Sequence, residues 1–176
     1  MNVLVELYCR AVVSEAVKDN MLMDKGLSLV SVKDSKKKLY DSDELYDSDK
    51  EIIKGAFMQN YIPDIIIAKG DKAEPFIVLD AKNSDVTNQS TDARRERTHQ
   101  VNFYMNALNV KIGGLISPSN ESDAVTAKLA GLNKYLAFVP LSTSGKSDIH
   151  VKTVTDFIKN ATELSENKKG KGGKNE

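Results

Sequence analysis

Two β-branched runs, each with an acid at one end, constrain this chain more than anything else in it. They read Tyr61-Ile62-Pro63-Asp64-Ile65-Ile66-Ile67 and Pro75-Phe76-Ile77-Val78-Leu79-Asp80-Ala81-Lys82. Such runs predict buried strands, over about Phe57–Ala68 and Pro75–Ala81. Their connection, Lys69-Gly70-Asp71-Lys72-Ala73-Glu74, has hairpin length and a turn glycine, so the strands are expected to be antiparallel neighbours. Lone charges inside buried strands carry a large desolvation penalty. Asp64, Asp80 and Lys82 therefore make physical sense if they converge on a cation and a phosphate. The plainer alternative is that Pro-Asp starts a turn and Asp-x-Lys ends a solvated strand.

Around this pair the patterning predicts a helix over Val3–Val17, a strand near Gly26–Lys33 and a loop over Lys36–Lys50. That loop holds the duplicated Tyr-Asp-Ser-Asp at 40–43 and 46–49. An accessory cation site there is conceivable, but a calcium loop's glycine is missing, and a solvated acidic loop is the better reading. A polar stretch, Asn83–Asp92, leads to a long helix over Ala93–Leu108. Strands follow at Lys111–Ser117 and Lys134–Leu141, separated by a short helical segment at Asp123–Leu132. Val151–Leu164 reads as a strand running into a helix. The order implies an α/β fold, a mixed central sheet flanked by helices. Residues 1–164 form one domain in this reading, and the Lys- and Gly-rich residues 165–176 a disordered tail.

At 176 residues the chain suffices for one well-cored domain. Lys plus Arg number 25, as do Asp plus Glu, so the net charge does not announce a nucleic-acid partner; local clusters must supply any binding face. The single Cys9 excludes a disulfide framework and points to a reducing compartment. Without a basic leader or a membrane-length apolar run, a soluble cytoplasmic protein with no membrane contact is expected. His99 sits about 100° around the helix from Gln100 and is expected off the site. His150 has no companion in sequence, and one Cys with two distant His argues against structural zinc. Gly113-Gly114 lacks the spacing and lysine of a phosphate loop.

Asp80 and Lys82, two apart on a strand, share a face while Ala81 points away. Two carboxylates and the Ala81 backbone carbonyl form an oxygen donor set suited to Mg²⁺, with Mn²⁺ as substitute. Lys82 would then orient the attacking water or offset phosphate charge. Gln100 and Tyr104, four apart, stack on one helical face. They read either as a surface residue, Gln100, and a residue bordering the core, Tyr104, or as contacts of Gln100 to the metal-bound water or phosphate and of Tyr104 to the substrate backbone. Arg94, Arg95 and Arg97, a turn earlier, are candidates for nucleic-acid phosphates or simply a solvated face.

The succession Pro63-Asp64, Asp80-Ala81-Lys82 and Gln100-x-x-x-Tyr104 resembles the PD-(D/E)xK nuclease superfamily, and its glutamine–tyrosine helix resembles the RecB-like branch. Leu4-Val5-Glu6-Leu7-Tyr8, with the two strand motifs, looks most like the nuclease subunit of McrBC-type, modification-dependent restriction systems. The resemblance spans about Val3–Val139. It implies a restriction-endonuclease-like αβββαβ core and a Mg²⁺-dependent endonuclease acting on DNA, in restriction, defence or DNA processing. It also implies that Asp64 and Asp80 are metal ligands, that Lys82 is the catalytic lysine, and that Gln100 and Tyr104 are an auxiliary catalytic pair. Glu6 matches the family's additional metal-binding acid, with Glu15 as fallback. Targeting or motor activity would come from a partner protein, and double-strand cutting from a homodimer. A non-cleaving binding or scaffold module of the same fold is one alternative. An RNA endonuclease is another, although that class would normally show a histidine where this chain has Glu6.

Overall fold

The computed structural model describes residues 3–31, 63–87 and 89–166. Helix α1 (Val3–Ala16) is followed by the short α2 (Asn20–Asp24) and strand β1 (Leu27–Leu29). Then come β2 (Ile65–Lys69), β3 (Glu74–Ala81), α3 (Thr91–Ala107), β4 (Ile112–Ser119), β5 (Val125–Lys128), β6 (Tyr135–Ser142) and α4 (Ser147–Glu166). The six strands form one mixed sheet in the order β1-β2-β3-β4-β6-β5. The fold is thus α/β with a mixed central sheet flanked by helices, consistent with the expected αβββαβ order. None of the described helices is long and apolar enough to cross a membrane.

Strand β2 explains its own sequence. Ile65 and Ile67 face one layer, with Cys9, Val12 and Val13 of α1 and Val154, Phe157 and Ile158 of α4. Ile66 and Ala68 face the other, with Val101, Tyr104, Met105 and Leu108. A strand covered on both sides needs apolar residues at consecutive positions, which is why the run does not alternate. Strands β2 and β3 are antiparallel, Ile65 opposite Leu79 and Ile67 opposite Ile77, as the hairpin reading expects. The register shifts between Ile67 and Ala68, and Pro75 stands opposite Ala68 at this irregularity, where its missing N–H is tolerated. Gly70 turns the hairpin at φ +75°.

Strands β3, β4 and β6 run parallel. Helix α3 crosses between the first two and lies close against β4. A Cβ placed on Gly113 would come 2.4 Å from Met105 Cγ, and one on Gly114 would come 2.4 Å from the Ala137 carbonyl oxygen of β6. The glycine pair is therefore a packing device. Gly114→Ala is expected to lower stability by about 2–3 kcal/mol, because rigid backbone blocks the new methyl group. Gly113→Ala should cost less, since the flexible Met105 thioether can move. Thermal unfolding of the two variants checks this ranking.

Two expectations need correction. Residues Asp123–Leu132 hold no helix; Val125–Lys128 is an exposed edge strand antiparallel to β6. Its β-branched Val125 and Thr126 suit a strand, and pairing with β6 outweighs weak local helical patterning. Residues Val151–Leu164 contain no strand and lie wholly within α4. The local Val-x-Thr-Val-Thr run is overridden because Val154, Phe157, Ile158 and Ala161 recur at helical spacing on a buried face. The duplicated Tyr-Asp-Ser-Asp, the Phe57–Ile62 start of the expected strand and the 167–176 tail lie outside the described residues.

Candidate functional site

The first acid enters at the start of β2 and the second at the end of β3. Continuing the β2–β3 register one step past Ile65–Leu79 sets Asp64 opposite Asp80. Both are nearly sealed, at 8% and 1% exposure. Asp64 Oδ2 accepts a hydrogen bond from the Ala81 N–H at 2.7 Å. Asp80 Oδ2 forms an ion pair with the Lys82 ammonium but accepts no well-directed hydrogen bond. Strand alternation thus does what the sequence implies: Asp80 and Lys82 share a face, and Ala81 turns toward the α1 layer.

Helix α3 completes the constellation. The Lys82 ammonium donates to Gln100 Oε1 at 3.4 Å, and Gln100 Nε2 donates to the Tyr104 hydroxyl at 2.9 Å. Tyr104 is 1% exposed, so its ring belongs to the core while its hydroxyl reaches the polar chain. The helix takes this position because its apolar stripe, Val101, Met105 and Leu108, docks over β3 and β4. Ser90 caps its N-terminus by accepting from the Ala93 N–H. One connected series, Asp80–Lys82–Gln100–Tyr104, therefore links a sheet end to a helix.

From the opposite layer α1 contributes Arg10, a residue the sequence reading did not single out. Its guanidinium donates to the backbone carbonyls of Asp64 and of Val30, the latter at 2.8 Å. The available signal was its position one turn after Glu6. Glu6 itself is half-buried, and its negative charge helps to raise the pKa of Asp64. It does not make a three-acid cluster: among the described residues no three His, Cys, Asp or Glu side chains stand together as a cation site. Glu15 is exposed and paired with Lys18 at 2.7 Å, so the fallback acid is engaged elsewhere.

Electrostatics at the strand ends is unbalanced. Burial, and next the charge of Asp80, push the Asp64 carboxyl up to about 7; the Ala81 N–H and Lys82 act against this. Burial, and next Asp64, push the neighbouring Cys9 thiol up to about 12, which makes it inert as a nucleophile. Two facing carboxylates, one with an oxygen lacking a hydrogen bond, are a site that a hard divalent cation would relieve. Two carboxylates are donors of the kind that hard cations such as Mg²⁺ or Mn²⁺ take.

The three arginines of α3 do not form one patch. Thr91, Arg94, Arg95 and Thr98 follow an i, i+3, i+4, i+7 pattern and, with His99, line a surface groove. Arg97, Gln100, Val101 and Tyr104 follow the same pattern on a face roughly 120° away. Arg97 thus goes with the site, Arg94 and Arg95 with the groove, and His99 stays off the site as expected. His150, by contrast, has companions: its ring meets the Tyr8 hydroxyl at 2.6 Å and the Ser142 carbonyl at 2.9 Å. The carbonyl can only accept, so Nε2 carries a proton and donates to it. Comparison with protein-family models and with curated proteins gives no match for this chain.

Proposed function

We propose that this protein is a divalent-cation-dependent nuclease that hydrolyses DNA phosphodiester bonds. The observation that carries the reading is the connected set Asp64, Asp80, Lys82, Gln100 and Tyr104, gathered at one sheet end from three separate stretches of chain. Asp64 and Asp80, with the Ala81 carbonyl, would hold Mg²⁺ or Mn²⁺, whose chemistry there is charge neutralisation at the phosphate and acidification of water. Lys82 holds a positive charge beside the same carboxylates, where it orients a water or offsets charge developing on the phosphate. Gln100 fixes the ammonium, and Tyr104 fixes Gln100. These two are positioning residues: they set where the ammonium stands.

A role in restriction, defence or DNA processing, in the cytoplasm, follows from the resemblance to McrBC-type nuclease subunits. The single buried free thiol, Cys9, suits a reducing setting. The direct test is cleavage of supercoiled, linear and single-stranded DNA and of RNA, with Mg²⁺, Mn²⁺, Ca²⁺ or EDTA. DNA cleavage with Mg²⁺ or Mn²⁺ and none in EDTA is expected. Thermal unfolding should also shift upward with Mg²⁺ or Mn²⁺, because a ligand of the folded state stabilises it. A cation shift without cleavage of any substrate would fit a non-cleaving binding module instead, and cleavage of RNA alone an RNA endonuclease. The absence of both the shift and cleavage would reject the reading.

A further inference from the structure

Arg97 is half-buried on the face of α3 that carries Gln100 and Tyr104, and its Nη1 is buried with no hydrogen-bond partner. A guanidinium holds five donors in a rigid fork and keeps its charge in proteins. Leaving one of those donors buried and unpaired is costly, so such a donor calls for an explanation. Arg97 lies close enough to Asp80 for the carboxylate to favour its charged form against the opposing effect of burial. Yet the two form no ion pair among the described residues; Asp80 Oδ2 is paired with the Lys82 ammonium instead. Arg97 thus keeps an unpaired donor near the strand end that carries Asp80 and Lys82.

The exposed arginines differ in kind. Arg94 Nε is already spent on the Gln89 carbonyl at 2.9 Å, and both Arg94 and Arg95 are solvated on the other helix face.

We infer that Arg97 is a phosphate receptor of the site: its fork binds a non-bridging oxygen of the nucleic-acid strand held at Asp64, Asp80 and Lys82. This assignment rests on the phosphodiester reading above and adds to it a separate, measurable contact. Arginine suits the role because its parallel N–H groups match phosphate oxygens, whereas lysine offers only a point charge. A purely structural Arg97, present as a counter-charge to Asp80, would leave nucleic-acid binding unaltered.

The test is fluorescence anisotropy of a short labelled oligodeoxynucleotide with the full chain in EDTA, titrated across salt concentrations. Arg97→Met keeps the aliphatic stem and removes the fork. It is expected to weaken binding roughly tenfold or more. It should also reduce the log–log salt slope by about 0.7–0.9, the loss of one phosphate contact. Arg97→Lys keeps the slope but loses affinity. Unchanged affinity and slope in a folded Arg97→Met variant overturn the assignment. Should that variant fail to fold, Arg97→Lys decides: weaker binding supports the fork, and wild-type binding overturns it. Wild-type protein that binds through Arg97 but never cleaves would uphold the receptor and sink the nuclease reading. Cleaving protein whose Arg97 variants bind and cleave as wild type would do the reverse.

Discussion

Asp80→Asn is expected to lower DNA cleavage by about a thousandfold or more while leaving the protein folded. The substitution preserves side-chain volume at a 1% exposed position but removes the charge needed to hold a dication and to anchor Lys82. Losing several kcal/mol of charge stabilisation at the phosphate corresponds to that factor. Stability should change far less. Asn removes a like charge facing Asp64 as well as a partner of Lys82, so the two effects oppose each other. Lys82→Ala should give a comparable loss of cleavage. Single-turnover cleavage, read alongside circular dichroism and thermal unfolding, separates chemistry from folding. Wild-type rates in both folded variants would exclude the proposed mechanism.

The second large effect is on stability. In EDTA the Asp64 carboxyl, pushed up to about 7 by burial and by Asp80, takes up a proton in the folded protein that the unfolded chain has already released. The sign follows directly. Its stabilising contribution is complete below the unfolded value near 4, declines as pH rises, and is lost above about 7. The wild type should therefore lose about 2–4 kcal/mol relative to Asp64→Asn between pH 4 and pH 7. Exposed carboxylates behave in the opposite sense: hydrogen bonds to Lys159, Thr87 and Lys25 respectively hold Asp19, Asp85 and Glu166 below their usual values. They contribute stability that disappears as pH falls through the acid range, a separate window. Chemical denaturation of wild type and Asp64→Asn at several pH values checks the prediction, and parallel curves would contradict it. Adding Mg²⁺ should close the gap at pH 8 if the cation binds these carboxylates.

Much of this was legible in sequence because the strongest signals were local. Consecutive β-branched residues marked β2 and β3, the six-residue link marked their antiparallel pairing, and strand alternation put Asp80 and Lys82 on one face. Helical spacing brought Gln100 to Tyr104. What escaped depended on partners distant in sequence. Strand β5 exists because β6 offers it an edge, and the start of α4 is helical because α1 and the sheet bury one of its faces. His150 looked isolated because its companions, Tyr8 and Ser142, come from two other elements. The division of Arg97 from Arg94 and Arg95 was present in helical spacing. It became visible only once the docked stripe fixed which face meets the sheet.

Arg10 has a consequence for how this chain tolerates change. Its guanidinium is fastened to the carbonyls of Val30 and Asp64, the two shores of the stretch that joins β1 to β2. The Val30 N–H is also bonded to the Ile66 carbonyl at 2.9 Å. Whatever lies between those shores, their separation is set by α1 and the sheet. The placement of the first acid is therefore most sensitive to change at Arg10 itself, whose loss would remove the grip of α1 on the Asp64 backbone and so on its station opposite Asp80.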